Sequence, residues 1–140
     1  MTTNYPEEFD EFMRRRETAS NDFIRGEVQK LSALLTHQDP ATFMPPGGAV
    51  IEGATASESA QLAGATAFGP DSTGHFEVLN SGSSGDLAFW TGRQIATMDI
   101  KGLDQPVRMI LRTTEVFRRE DGQWKLAHRH ADIRSSAHGS

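Results

Sequence analysis

Glu115, His128, Arg129 and His130 stand in the last long apolar stretch of the 140-residue chain and are its best candidates for chemistry. If residues 123–133 are an extended strand, side chains alternate between its faces. Trp124, Leu126, His128, His130 and Asp132 then share one face, while Lys125, Ala127, Arg129 and Ala131 share the other. Two histidines on one face could ligate a metal with Asp132, or one could be a general base steered by that carboxylate. Such a pair fills only part of a coordination shell, and His37, His75 and His138 have no spacing that completes it. No metal and no cofactor is therefore expected, and structural histidines near Arg112 and Thr114 explain the pair better.

Arg129 and Glu115 are the sharper pair. Burial raises a glutamate pKa and a neighbouring arginine lowers it, so together they read equally as a tuned acid/base or a buried salt bridge. Their register depends on the reversal at Asp121-Gly122. A three-residue turn sets Arg129 beside Thr113 and Glu115; a two-residue turn shifts the pairing by one and brings His128 to Glu115.

The elements that must hold these residues follow from the rest of the chain. Residues 107–119 are rich in β-branched and aromatic side chains without Gly or Pro, and Asp-Gly is a strong hairpin signal. Upstream, Phe9, Phe12, Met13, Arg16, Phe23, Ile24, Val28, Leu31, Leu34 and Leu35 recur at helical steps. With Asn4, Pro6 and Glu7 as a start and Gly26 as a break, they predict helices over 6–25 and 27–36. Short strands are expected at 41–44 and 49–52, then a helix over 56–67 opened by a Thr55–Glu58 capping box. Strands follow at 75–80 and 86–97, joined by a flexible turn over 81–85. Arg14 to Arg16 and Arg118-Arg119 read as solvated faces, and residues 134–140 as a frayed tail.

Composition narrows the function classes. The length suits one domain, and 36% hydrophobic residues suffice for its core. A net charge of -5 argues against nucleic-acid binding, and no apolar run is long enough for a membrane span. The acidic start does not look like a secretory leader, so the cytoplasm is the expected location. Without cysteine there is neither a disulfide nor a thiolate nucleophile.

The order of elements predicts an α+β domain with an antiparallel sheet over helices. Residues 41–48 (ATFMPPGG) followed by Val50 to Gly53, residues 85–89 (GDLAF), and Arg112 to Phe117 running through Asp121-Gly122 and Trp124 to His128-Arg129-His130 carry a wider likeness. Over nearly its whole length the chain resembles the nuclear transport factor 2-like superfamily, in its SnoaL-like and ketosteroid-isomerase-homologue branch. The resemblance implies a cone-shaped, curved antiparallel (mixed) sheet wrapped around N-terminal helices. It also implies a pocket for a small, partly apolar organic molecule and a homodimer through the convex sheet face. Phe89, Thr91 and Arg93 would line that pocket with Thr113, and Met13 and Phe43 would close it. The isomerase's two acids fall on Pro45 and Thr114 here, so steroid isomerisation is not expected. The serines of the superfamily's metal-free carbonic anhydrases are missing from His130-Ala131-Asp132. Two functions stay open. One is a cofactor-free proton-transfer enzyme of the isomerase, dehydratase, cyclase or hydrolase type, using Glu115 and Arg129 or else His128 and His130. The other is a non-catalytic small-ligand-binding or association module.

Overall fold

Helix α1 (Phe9–Phe23) forms where Phe9, Phe12, Arg16, Ala19 and Ser20 repeat at helical spacing, and these residues are its buried face. Asp10 and Glu11 in its first turn favour the positive end of the helix dipole. A computed structural model describes residues 7–133, so the expected helix start at Asn4 and Pro6, and the tail from residue 134 with His138, lie outside the described residues. Gly26, at φ 93°, turns the chain into α2 (Gln29–Leu34), which buries Leu31 and Leu34. A small hairpin of β1 (Thr42–Met44) and β2 (Ile51–Glu52) leads to α3 (Ala54–Ala63) and a single 3₁₀ turn, Gly64–Ala67.

The start of α3 departs from the capping box. Gly53 is its N-cap, and the Asp39 carboxylate accepts the Ala54 N–H at 2.7 Å, so the cap comes from another loop. Glu58 instead accepts a hydrogen bond from Ser32 and pairs with His37.

Four long strands complete the chain: β3 (Thr73–Ser84), β4 (Leu87–Met98), β5 (Val107–Glu120) and β6 (Gln123–Ile133). The sheet runs β2-β1-β6-β5-β4-β3, and only the β1–β6 pairing is parallel. With the helices on its inner side, this is an α+β cone built on a mixed sheet. The segment expected to be a flexible turn over 81–85 is mostly strand, because the β3–β4 ladder continues to Ser84 opposite Leu87. Among the described residues, no helix is long and apolar enough to cross a membrane.

The last hairpin resolves the register question in an unexpected way. Asp121 and Gly122 both take positive φ, 52° and 79°, and Glu120 pairs with Gln123, so the turn has two residues. Pairing then holds as far as Phe117 opposite Leu126, where a bulge leaves Ala127 without a partner and the next pair is Val116 with His128. One extra residue restores Glu115 opposite Arg129. The unbroken alternation expected for β6 is thereby corrected: Trp124 and Leu126 point inward with Arg129 and Ala131, and His128 and His130 point outward.

Inside, Phe12 meets Phe117 edge-on at 4.9 Å between ring centroids, and Phe9 meets Trp124 at 5.6 Å. The expected solvated arginines are largely engaged. Arg16 is 2% exposed, Arg119 lies 4.3 Å over the Trp124 ring, and Arg118 bonds Glu120, Thr36 and the Pro40 and Gln38 carbonyls. Long aliphatic stems let these residues cover core aromatics while their heads find acceptors.

A second bulge, at Leu79, lies where Val78 pairs with Gly92 and Asn80 with Thr91. It brings β3 so close that a Cβ at residue 92 would collide with the Glu77 carbonyl oxygen. Gly92→Ala is expected to cost about 2 kcal/mol or more, read as a lower urea midpoint, because backbone rather than a flexible side chain must move. Gly47→Ala, whose Cβ would meet nothing within 4 Å, serves as the matched control and should leave the midpoint nearly unchanged.

Candidate functional site

The pairing of β4, β5 and β6 sets Trp90, Glu115 and Arg129 side by side on the inner face, and α1 lays Arg16 across them. Arg16 donates from Nε and Nη2 to the two Glu115 oxygens at 2.9 and 2.7 Å. Arg129 Nη1 donates to the same carboxylate at 2.7 Å, and Trp90 Nε1 at 2.8 Å. Glu115 is 0% exposed. Burial alone would raise its pKa; the charges of Arg16 and Arg129, helped by hydrogen bonds from Arg16 and Trp90, overturn that and hold it at about 2. The carboxylate is ionised at any ordinary pH and has no proton to give. Of the two readings left open by the sequence, the geometry is that of a buried ion pair.

Beside this cluster lies a cavity of about 380 Å³. Its walls are mainly apolar, with Phe23 at the end of α1 and Ile24 just after it, Phe68 after the 3₁₀ turn, Phe43 from β1, and Met98 and Met109 from the sheet. Arg16, Arg129 and Gln61 are polar residues of the lining, and His75, exposed to solvent, borders it.

The expected site residues are divided by the sheet. Phe43 and Arg129 line the cavity. Thr113 is buried on the inner face and donates to Gln94, itself a lining residue, at 3.1 Å. Met13 packs against the aromatic core and does not line the cavity. Phe89, Thr91 and Arg93 are on the outer face, which corrects their assignment to the pocket: Trp90 and Ala88 are the inward residues of β4, so their neighbours must point away. Thr91 is 2.9 Å from Thr114 there, and Arg93 bonds Glu77 at 2.6 Å. His128 and His130 are also outside. His128 Nδ1 lies 2.6 Å from the Thr42 hydroxyl, and burial, followed by the nearby His130, pushes its pKa down. Asp132 pairs with Arg112 at 2.7 Å. Among the described residues, no group of three histidine or acidic side chains could hold a metal ion.

Arg16, Trp90 and Gln61 were not singled out by sequence reasoning. Arg16 had a signal: it occupies a core-facing position of α1, four residues after Phe12, where an arginine must find a buried acceptor. Trp90 and Gln61 had none beyond their type.

An α+β cone with a hollow inner side defines a class of small domains, and comparison identifies the family. The chain belongs to the SnoaL-like domain family, whose model matches residues 17–133. No curated protein matches it by sequence. Among solved structures, a Streptomyces avermitilis protein of the NTF2-like family, provisionally described as a dehydratase, superposes with TM-score 0.73 at 22% identity over 90% of this chain and 95% of that one. The CaMKII hub homology domain of Chlamydomonas reinhardtii gives 0.69 at 17% over 91% and 98%. A ketosteroid isomerase-like protein of Erwinia carotovora gives 0.65 at 21% over 81% and 86%. At these identities the likeness establishes the fold.

Glu115→Gln leaves two arginines buried around a neutral amide and is expected to cost about 3 to 5 kcal/mol at pH 7. Because the folded pKa of Glu115, about 2, lies below its unfolded value, the carboxylate's contribution is complete above about pH 5 and fades as pH falls toward 2. Urea unfolding of both proteins at several pH values should show the gap closing by about 3 kcal/mol on acidification. A gap that stays constant from pH 7 to pH 3 would contradict the assigned ion pair.

Proposed function

We propose that this SnoaL-like protein binds a small, largely apolar organic molecule in the cavity beside the Arg16–Glu115–Arg129 cluster. The observation that carries the reading is the 380 Å³ space itself, walled by Phe, Ile and Met side chains and left open in a chain that packs its other end tightly. Binding is put ahead of catalysis on electrostatic grounds. A proton-transfer enzyme needs a group that titrates near the working pH, and Glu115 at about 2 is far from that range. His128 and His130 face away from the cavity, and His75, which borders it, is exposed to solvent in the row alternate to the inward Gly74 and Phe76, so none of the three supplies a base from deep inside. Glu115 thus serves to orient the two arginines, and Arg129 contacts the guest.

The test is occupancy and its loss. Ala60 and Ala96 line the cavity, and Ala60→Phe or Ala96→Phe should fill part of it. Ligand-observed NMR with a panel of uncharged aromatic and aliphatic compounds should find wild-type binders that weaken at least about tenfold in the filled variants, with the circular dichroism spectrum unchanged. An absence of binders, or binders indifferent to both fillings, would overturn the reading.

The outer sheet face is the proposed self-association surface. It carries Phe89 and Val116 as cross-strand neighbours, and Leu79 and Leu87 are 66% and 58% exposed. Similar structures include domains described as hubs, which supports the idea without carrying it. Light scattering should give a dimer for the wild type and a monomer for Phe89→Lys. A wild-type monomer at high concentration would rule the interface out.

A further inference from the structure

We infer that the cavity selects a monocarboxylate, an organic acid whose charged end meets Arg129 while its apolar body lies among Phe23, Phe68 and Met109. The inference rests on the cavity being a binding site and adds the class of molecule. Its first support is a charge count. Arg16 and Arg129 bring two positive charges against the single negative charge of Glu115, so the cluster keeps one uncompensated positive charge inside the protein. A buried net charge is costly unless a partner answers it, and no other carboxylate among the described residues pairs with either arginine.

The second support is in the donors left over. Arg129 spends Nη1 on Glu115; among the described residues its Nε and Nη2 have no hydrogen-bond partner, and the side chain, 12% exposed, lines the cavity. That free edge is the two-donor fork that fits a carboxylate. Arg16 Nη1 is buried without an acceptor, beneath Phe76, whose ring lies 5.6 Å from the Arg16 guanidinium carbon. It contributes charge at close range rather than a contact. Gln61, 7% exposed, is a further unpartnered group: its amide has no hydrogen bond among the described residues, is not sealed away, and lines the same cavity. A polar substituent on the acid, such as a hydroxyl or a keto group, would satisfy it.

The same count argues against other anions. A phosphate dianion would turn the excess of one positive charge into an excess of one negative charge in a largely apolar space. A neutral guest would leave the positive charge unanswered.

Isothermal titration with 4-phenylbutanoate, 4-phenylbutanamide and 4-phenylbutan-1-ol at pH 7.5 tests this on the wild-type protein. The three probes share a body and differ in the charged end. The acid should bind at least about tenfold more tightly than either neutral analogue. Arg129→Met should remove that preference while the alcohol still binds, and Arg129→Lys should restore part of it. Equal or weaker binding of the acid, with the alcohol bound, would overturn the carboxylate inference and leave the cavity reading standing. Failure of all three probes together with the uncharged panel would instead defeat the cavity reading. Since the wild-type comparison needs no substitution, a variant that fails to fold does not remove the test.

Discussion

Removing a carboxylate from water is unfavourable by several kcal/mol, and the loss is recovered only if opposite charge and hydrogen bonds surround it closely. Glu115 is surrounded from three elements: Arg16 from α1, Trp90 from β4 and Arg129 from β6. Those bonds pin the helix to the middle of the sheet and lock the inward faces of neighbouring strands in one register. A slip by one residue would turn the glutamate outward and leave the arginines buried alone, so the cluster disfavours misregistered pairings more strongly than apolar contacts could.

The cluster also divides the interior. One row along the strands, Phe117 opposite Leu126, belongs to the aromatic core with Phe9, Phe12 and Trp124. In the other direction, Thr113 opposite Ala131 borders the cavity. Small side chains help: Gly64, Gly74, Ala60, Ala96 and Ala131 leave space among the rings of Phe23, Phe43 and Phe68 at the hollow end. The ion cluster thus forms part of the wall between solid core and open space, and gives that space a charged end.

Much of this was legible in the residues. The helical stripe of α1, the break at Gly26, the Asp121-Gly122 reversal and the long β-branched run of β5 all announce themselves locally. What could not be read depends on contacts far apart in the chain. Asp39 caps α3 because the fold brings its carboxylate there, which a local Thr55–Glu58 pattern cannot reveal. The outward direction of Phe89, Thr91 and Arg93 is a matter of parity along β4, and either parity leaves an aromatic residue on each face. Arg16 looked like one member of a basic cluster because its partner is ninety-nine residues away in sequence. The bulge at Ala127 has no compositional mark, yet it decides which residue of β6 faces Glu115.

That single unpaired alanine has a wider meaning. Upstream of it β6 already has its parity, and beyond it the parity is reversed, so the lining of the hollow depends on where the strand absorbs its extra residue as much as on which residues it carries. Were the bulge straightened with the alanine kept and paired to Val116, His128 would come opposite Glu115 and turn inward while Arg129 turned outward, exchanging a fixed cation for an imidazole with every residue unchanged. In a scaffold of this kind the character of an interior wall is set by where a ladder breaks as well as by the residues it carries.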